Sequence, residues 1–289
     1  MEKKATLAII GGSGLYQMKG LKNTEEVLAD TPFGKPSAPI TIGELEGVRV
    51  AFLARHGIGH HINPTEVPYR ANIYALKSLG VERIISISAC GSLREDLAPG
   101  HVVIPDNIFD FTKDRDRSFF SDGLVAHISV ADPFCEDLCN SLEGALRAAG
   151  ATTHRGGTFI TIEGPRFSTK AESNVYRAWG MSIIGMTASP EAFLAKEAEL
   201  CYATMAHVTD YDVWHTSESP VTVDMVIQTL NKNTEIAQDA IRNFIRGMKQ
   251  ERVCDCGNAL AAALITSPQA IPPKTRKKLE LLVGKYIRA

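Results

Sequence analysis

Short apolar runs recur along this chain, and each gives way to glycine, serine or a basic residue. Residues 5–10 (ATLAII) lead into Gly11, Gly12, Ser13 and Gly14. Residues 48–53 lead into Arg55 and His56, and residues 83–88 (RIISIS) into Ala89, Cys90, Gly91 and Ser92. A run this short, apolar on both faces, is a strand buried inside a parallel or mixed sheet. Helical patterns lie between the runs. Residues 68–79 carry Ile73, Leu76 and Leu79 at helical spacing, opened by Pro68 and stopped by Gly80. Residues 133–150 carry Leu138, Leu142 and Leu146 at i, i+4 and i+8. This alternation predicts one α/β unit over residues 1–289, without internal repeats, with a helical extension bearing Cys-x-Cys from about residue 250.

The remaining segments fit the same scheme. Residues 40–45 and 48–53 read as a hairpin joined through Glu46-Gly47. Residues 102–105, 158–162 and 181–186 add strands, and residues 170–179 form a helix closed by Gly180. A long helix over 221–248 and a basic one over 272–287 end the chain. Residues 109–120, aromatic at both ends and charged between, read as a long surface loop or a subunit contact.

Charge narrows the classes of partner. With 22% charged residues and a net charge of −2, nothing calls for a nucleic-acid or membrane surface. The first apolar run stops at Gly11, too short for a signal-peptide core, and no run reaches the length of a membrane span. The expected compartment is the cytoplasm. A zinc site from Cys135, Cys139, Cys254 and Cys256 is conceivable, but neither pair has C-x2-C spacing. A small strained Cys254–Cys256 disulfide would be redox-labile. Free cytosolic thiols are the preferred reading, and no metal is assigned.

Chemistry gathers at the strand ends. In an open α/β sheet, ligands sit in the crevice at the carboxyl ends of the strands. The Gly11–Gly14 stretch brings backbone N–H groups close to an anion and adds the Ser13 hydroxyl, though it is neither the dinucleotide fingerprint nor the phosphate loop. Alone it fits a tight turn equally well. Arg55 offers a planar fork for oxyanions and His56 a further donor; a solvated basic loop is the plainer alternative. His56, His60 and His61 lack neighbouring carboxylates or thiols apart from Glu66, so a metal ranks low there. Ser88 ends a third strand, and Thr187 opens a helix whose amides can meet an anion or simply be capped.

Farther along, residues 205–214 (MAHVTDYDVW) place Asp210 and Asp212 at the exit of a strand, on one face if extended geometry persists. Glu163, Phe167 and Ser168 share one turn. An anion grip, an aromatic platform at Phe167 and paired acids match what phosphorolysis of an N-glycosidic bond needs. Phosphate attacks the anomeric carbon, electron density flows into the purine, and a carboxylic acid near N7 receives it. Asp210 then has to be raised above the usual carboxylate range by burial or by Asp212.

Taken together, the GGSG loop, RHGIGHHINP, SISACGSL, TFITIEGPRFST, GMTASPE and TDYDVW resemble the 5′-methylthioadenosine phosphorylases of the trimeric nucleoside phosphorylase family, over about residues 5–245. The resemblance implies a mixed, partly barrel-like sheet and a homotrimer or dimer of trimers. It implies phosphate binding by Ser13, Arg55, His56, Ser88, Ala89 and Thr187, with inorganic phosphate as co-substrate and no further cofactor. It implies purine stacking on Phe167, ribose packing on Met186, base recognition and catalysis by Asp210 and Asp212, and a specificity position at Ser168. His127 resembles a histidine that reaches the neighbouring subunit's pocket, and Val223 and Val226 resemble the apolar wall around a methylthio group. Ser13 and Ser88 stand where many members carry threonine, and the Cys254-Asp255-Cys256 segment resembles the tails of some thermophilic members.

Hydrogen-bonding polarity selects the base. A 6-aminopurine donates from its exocyclic amine and suits a carboxylate at Asp210, whereas a 6-oxopurine suits an amide; a mismatched partner costs roughly four orders of magnitude. Methylthioadenosine is therefore expected over inosine or guanosine. A 6-oxopurine or methylthioinosine phosphorylase is the runner-up, a nucleoside hydrolase would need no anion grip, and a non-catalytic nucleoside-binding protein would keep the pocket without turnover.

Overall fold

In the computed structural model, which describes residues 4–12, 18–215 and 223–287 and only the backbone at 223 and 225–233, the first apolar run becomes β1 (Leu7–Gly11). Every residue of β1 is buried, as befits a strand covered on both faces. The strands that follow are β2 (Lys22–Val27), β3 (Ile40–Leu45), β4 (Val48–Ala54), β5 (Arg83–Ser92), β6 (Val102–Ile104) and β7 (Asn107–Phe111). Then come β8 (Thr153–Arg155), β9 (Thr158–Ile162), β10 (Ile183–Gly185) and β11 (Cys201–Asp210). The helices are α1 (Tyr69–Ser78), α2 (Glu136–Ala148), α3 (Lys170–Ala178), α4 (Ala188–Glu197), α5 (Val223–Gly247) and α6 (Pro273–Val283).

One mixed sheet joins all the strands, in the order β2-β3-β4-β1-β5-β10-β9-β7, with β11 paired to β5 and β6, and β8 to β6. The expected α/β architecture with a mixed sheet is what forms. The sheet branches at β5, which runs parallel to β1 and β11 and then turns its last residues, Gly91 and Ser92, to antiparallel β10. Parallel β4, β1, β5 and β11 open their carboxyl ends to one edge.

The helices close over this sheet for reasons visible in the sequence. Leu138, Leu142 and Leu146 of α2 are all buried, and α2 packs on α5 and β11. Each such leucine contributes roughly 1.5–3 kcal/mol of apolar burial. A capping box sets the start of α3: Thr169 accepts from the Glu172 amide, while the Glu172 carboxylate accepts from the Thr169 amide.

Three expectations need correction. Ala89–Ser92 is not a loop but the last part of β5, because β11 and β10 continue to pair with it. Phe109 and Phe111 lie in β7, paired with β9, and not in a loop. Within the segment read as a surface loop or a subunit contact, Arg115 is buried in the chain's own interior. Its guanidinium donates to the carbonyls of Ile162, Glu163, Met186 and Ser189 and to the Tyr69 hydroxyl, which ties the β9 exit to the start of α4. Strands β2 and β8 were not foreseen; β2 (KNTEEV) is almost wholly exposed and carries no apolar pattern to betray it.

Candidate active site

Arg55 follows the last residue of β4 and extends the ladder by donating its amide to Gly11 O at 3.0 Å. Its side chain, 1% exposed, turns inward under the carboxyl edge of the sheet. Nε and Nη2 hold the two Glu191 oxygens at 2.8 and 2.9 Å, Nη2 reaches Ser86 Oγ at 2.6 Å, and Nη1 reaches Ile87 O at 3.2 Å. A guanidinium has five N–H donors. These contacts use four and leave one on Nη1. Tyr202 donates its hydroxyl to Glu191 at 2.8 Å, which fixes the carboxylate from the other side. Glu191, Ser86 and Tyr202 were not singled out from the sequence. A glutamate in the first turn of a helix, followed by the apolar run Ala192–Ala195, was the available signal.

Ser86 and Ser88 share one face of β5. Ser88 Oγ lies 2.8 Å from Thr187 Oγ1. Thr187 occupies the N-cap of α4, yet its side chain makes no capping bond; it is spent on Ser88. The helix is broken at once by Ser189, whose backbone is extended, so the capping reading of Thr187 does not hold. Arg55, Ser88 and Thr187 thus converge, with half-buried Ala89 next along the strand.

Buried His56 sits beside Arg55, stacked on His60 with ring centroids 4.4 Å apart. Its Nδ1 lies 3.0 Å from Ile62 O, and since a carbonyl only accepts, Nδ1 carries the hydrogen. Burial first, and the Arg55 charge second, push the imidazole down to about 4. At neutral pH it is therefore uncharged, and Nε2 is an acceptor rather than the extra donor expected. Ser13 lies outside the described residues.

The acids stand at the other end of the same edge. Asp210 ends β11 opposite Gly91, after an irregularity in register at Val208. Extended geometry does not persist: Asp212 has φ 51°, and its amide donates to Asp210 Oδ1 at 2.8 Å. A tight turn, not strand alternation, brings the two carboxylates together. A Cβ at Gly91 would stand 2.9 Å from Asp210 Oδ1 and 3.3 Å from Asp212 Cβ, so only glycine fits beneath them. Burial raises both carboxyls above their ordinary range, and Asp212 is raised further by the charges of Asp210 and Glu172. Among the described residues, buried Asp212 Oδ2 meets no hydrogen-bond partner.

Thr209 Oγ1 lies 2.6 Å from Asp210 Oδ2 and 3.2 Å from Cys90 O. A hydroxyl has one proton to give. It can donate to an ionised Asp210, or donate to Cys90 O and accept from a protonated Asp210. The site therefore accommodates Asp210 in either protonation state.

The turn that carries Phe167 is held by its acid. Glu163 accepts from the Thr65 hydroxyl at 2.5 Å, from the amides of Lys113 and Asp114, and from Arg115 Nε at 3.2 Å. Burial would raise this carboxyl, but those bonds hold it at about 2. Gly164, at φ +71°, leaves room for the Met186 sulfur, which a Cβ would meet at 2.5 Å. Phe167 is 40% exposed, and Ser168 is buried with its Oγ unpartnered among the described residues. Met186 is half-buried beside Thr187. His127 is exposed, and its amide donates to Ala263 O at 2.8 Å. Asp224 is exposed, while the side chains of Val223 and Val226 lie outside what is described.

Three comparisons with known proteins place the chain among its relatives. Residues 6–246 match the model of the phosphorylase superfamily. The chain is 53% identical to the S-methyl-5′-thioadenosine phosphorylase of Geobacter sulfurreducens over 97% of this chain and 99% of the relative. It is 54% identical to that of Chloroflexus aurantiacus over 98% of both chains. In three dimensions it resembles a methylthioadenosine phosphorylase from an antarctic soil metagenomic library, with TM-score 0.92, 49% identity and coverage of 97% and 99%. A Schistosoma mansoni adenosine/methylthioadenosine phosphorylase variant in complex with methylthioadenosine superposes with TM-score 0.81 at 36% identity, covering 90% of this chain and 96% of that one.

Proposed function

The chain belongs to the phosphorylase superfamily, and from that premise we propose that it cleaves the N-glycosidic bond of S-methyl-5′-thioadenosine with phosphate, giving adenine and 5-methylthioribose 1-phosphate. It is a pentosyltransferase of purine and methionine salvage.

One observation carries the reading. Strand β5 bears Ser88, hydrogen-bonded to Thr187, and, three positions on, Gly91 beneath Asp210 and Asp212. At a strand rise of about 3.3 Å per residue the two ends lie ~10 Å apart. That gap holds a sugar between a phosphate and a purine.

In this reading, the free Nη1–H of Arg55, the hydroxyls of Ser88 and Thr187, and Ala89 hold phosphate, joined by Ser13. Neutral His56 accepts from a P–OH and so orients a protonated phosphate oxygen away from the sugar. An unprotonated oxygen attacks C1′ as the C1′–N9 bond breaks, and the electron pair enters the purine ring. Protonated Asp210 donates to N7, and the acid pair accepts from the 6-amino group. Phe167 covers the base, Ser168 borders it, and Met186 packs on the ribose. Phosphate is the co-substrate, and the residues named need no cofactor.

A second copy of the chain completes the pocket in this reading. Phe109 and Phe111 of β7 and Tyr176 and Trp179 at the end of α3 form one aromatic cluster, and Trp179 is 52% exposed. Such a patch supports a homotrimer, or a dimer of trimers, in which His127 reaches the neighbouring site and Val223 and Val226 wall the methylthio group. Among the described residues no helix is long and apolar enough to cross a membrane, and the cytoplasm is the compartment we assign.

Adenine release from methylthioadenosine, followed with and without phosphate, tests the reaction. Turnover that requires phosphate and prefers methylthioadenosine to adenosine, methylthioinosine and inosine is expected. Phosphate-independent release, or preference for inosine, overturns it.

A further inference from the structure

Four sulfurs meet far from the strand ends that make the candidate active site. Cys135 precedes α2 at its N-cap, Cys201 opens β11, and Cys254 and Cys256 flank the first residue of a short 3-10 turn, Asp255–Asn258. Their Sγ atoms all lie within 4.8 Å of one another, and each is a free thiol. The Cys201 and Cys254 sulfurs are 3.3 Å apart. Four thiolates at about 2.3 Å from a zinc ion stand about 3.8 Å from each other, so the cluster already has the size of a tetrahedral shell. Cys135 and Cys201 are buried and the other two half-buried.

We propose that Cys135, Cys201, Cys254 and Cys256 bind one structural zinc ion. The chemistry of the donor set selects the metal: four soft sulfurs, tetrahedral, with no position left for water or substrate. Cys139, grouped with Cys135, Cys254 and Cys256 in the sequence, is not part of the cluster; Cys201, distant in sequence, takes its place. Arg252 Nη1, 4.0 Å from Cys201 Sγ and bonded at 3.0 Å to Glu199 O, supplies an outer positive charge against the excess negative charge of four thiolates.

The ion would latch the C-terminal segment to the sheet. Just beyond it, Leu260 donates its amide to Glu199 at 3.1 Å, and Ala263 O and the Ile265 amide bond the backbone of His127 and Val125. The segment that presents His127 thus leans on the strand of chain that the zinc pins. Binding fixes residues from three remote stretches, and its free energy adds to folding.

The test uses the full chain grown with zinc and purified without chelator. Elemental analysis is expected to find ~1 zinc per chain. The ion should resist dialysis and be released by a mercurial thiol reagent. Replacement by cobalt should give thiolate-to-metal charge-transfer bands and the intense visible bands of a tetrahedral site. Stripping the metal should accelerate proteolytic cleavage between residues 249 and 266 several-fold. Cys256→Ser should lower the zinc content to under about a tenth, whereas Cys139→Ser should keep it. Zinc-free protein with reduced cysteines, or a mass showing disulfides among the four, overturns the proposal. If a serine variant fails to fold, the metal content and cobalt spectrum of the unaltered chain still decide.

Discussion

Ser88 Oγ and Thr187 Oγ1 stand 2.8 Å apart, joining the middle of β5 to the entrance of α4 by a single hydrogen bond. Both residues are buried, and in the proposed reaction each hydroxyl gives up this bond, or shares it, when phosphate arrives. A hydrogen bond to a charged group is worth about 1.5–3 kcal/mol. Ser88→Ala or Thr187→Ala should raise KM for phosphate by ~10- to 100-fold with little change in KM for methylthioadenosine. Because the two hydroxyls share a bond, the double variant should lose less than the product of the single losses. Steady-state kinetics with each substrate varied checks this.

Among the described residues, Glu191 is the acidic partner of the buried Arg55 guanidinium. Removing one member of a buried pair leaves an uncompensated charge and costs about 3–5 kcal/mol. Glu191→Ala should therefore lower the melting temperature by ~10 °C and weaken phosphate binding, although Glu191 is not expected to touch the phosphate. Thermal unfolding at neutral pH with and without phosphate measures both effects.

Asp210 should set activity and stability against each other. Its folded carboxyl is raised by burial, so its contribution to stability is present below the unfolded value and lost as pH rises through the folded one. At neutral pH, above the unfolded value, keeping this carboxyl buried costs the fold stability. Asp210→Asn should lower kcat/KM for methylthioadenosine by ~10²- to 10⁴-fold while raising the melting temperature at pH 7 (about neutral). The same amide should narrow the gap between methylthioadenosine and methylthioinosine. A melting temperature that falls with the activity would contradict the buried-charge argument.

His207 offers a separate acid switch. It is buried on β11, neither ring nitrogen has a partner among the described residues, and burial pushes it down to about 4. Its neutral form is stabilising above the unfolded value near 6.5, and that contribution is lost as pH falls toward 4. His207→Leu should leave stability at neutral pH equal or higher, since an unsatisfied polar group is removed, and should flatten the decline between those two values. Melting curves across that window decide it. His56 contributes its own share of the decline and remains in the variant.

Much of the anion end was legible because its residues terminate apolar runs, where a hydroxyl or guanidinium has no packing reason to stand. Arg55, His56, Ser88 and Thr187 fall in this class. Their supports were not legible. Glu191 and Arg115 look like ordinary surface charges in sequence, and only the fold brings Glu191 to Arg55 or surrounds Arg115 with carbonyls. Asp212 was placed near Asp210 for the wrong reason, since a left-handed turn rather than alternation brings it there. Gly91 was read as part of a loop, and its role depends on a carboxylate from a strand more than a hundred residues away.

Because β5 alone carries the contacts at both ends of the candidate site, the strand acts as a ruler. The spacing between Ser88 and Gly91 is set by peptide geometry and cannot stretch with a side-chain rotamer. Flanking β1 and β11 clamp it on either side, and β10 takes over its last residues. Discrimination among glycosides of different ring size or linkage would then come from length, before any group on the base is sensed.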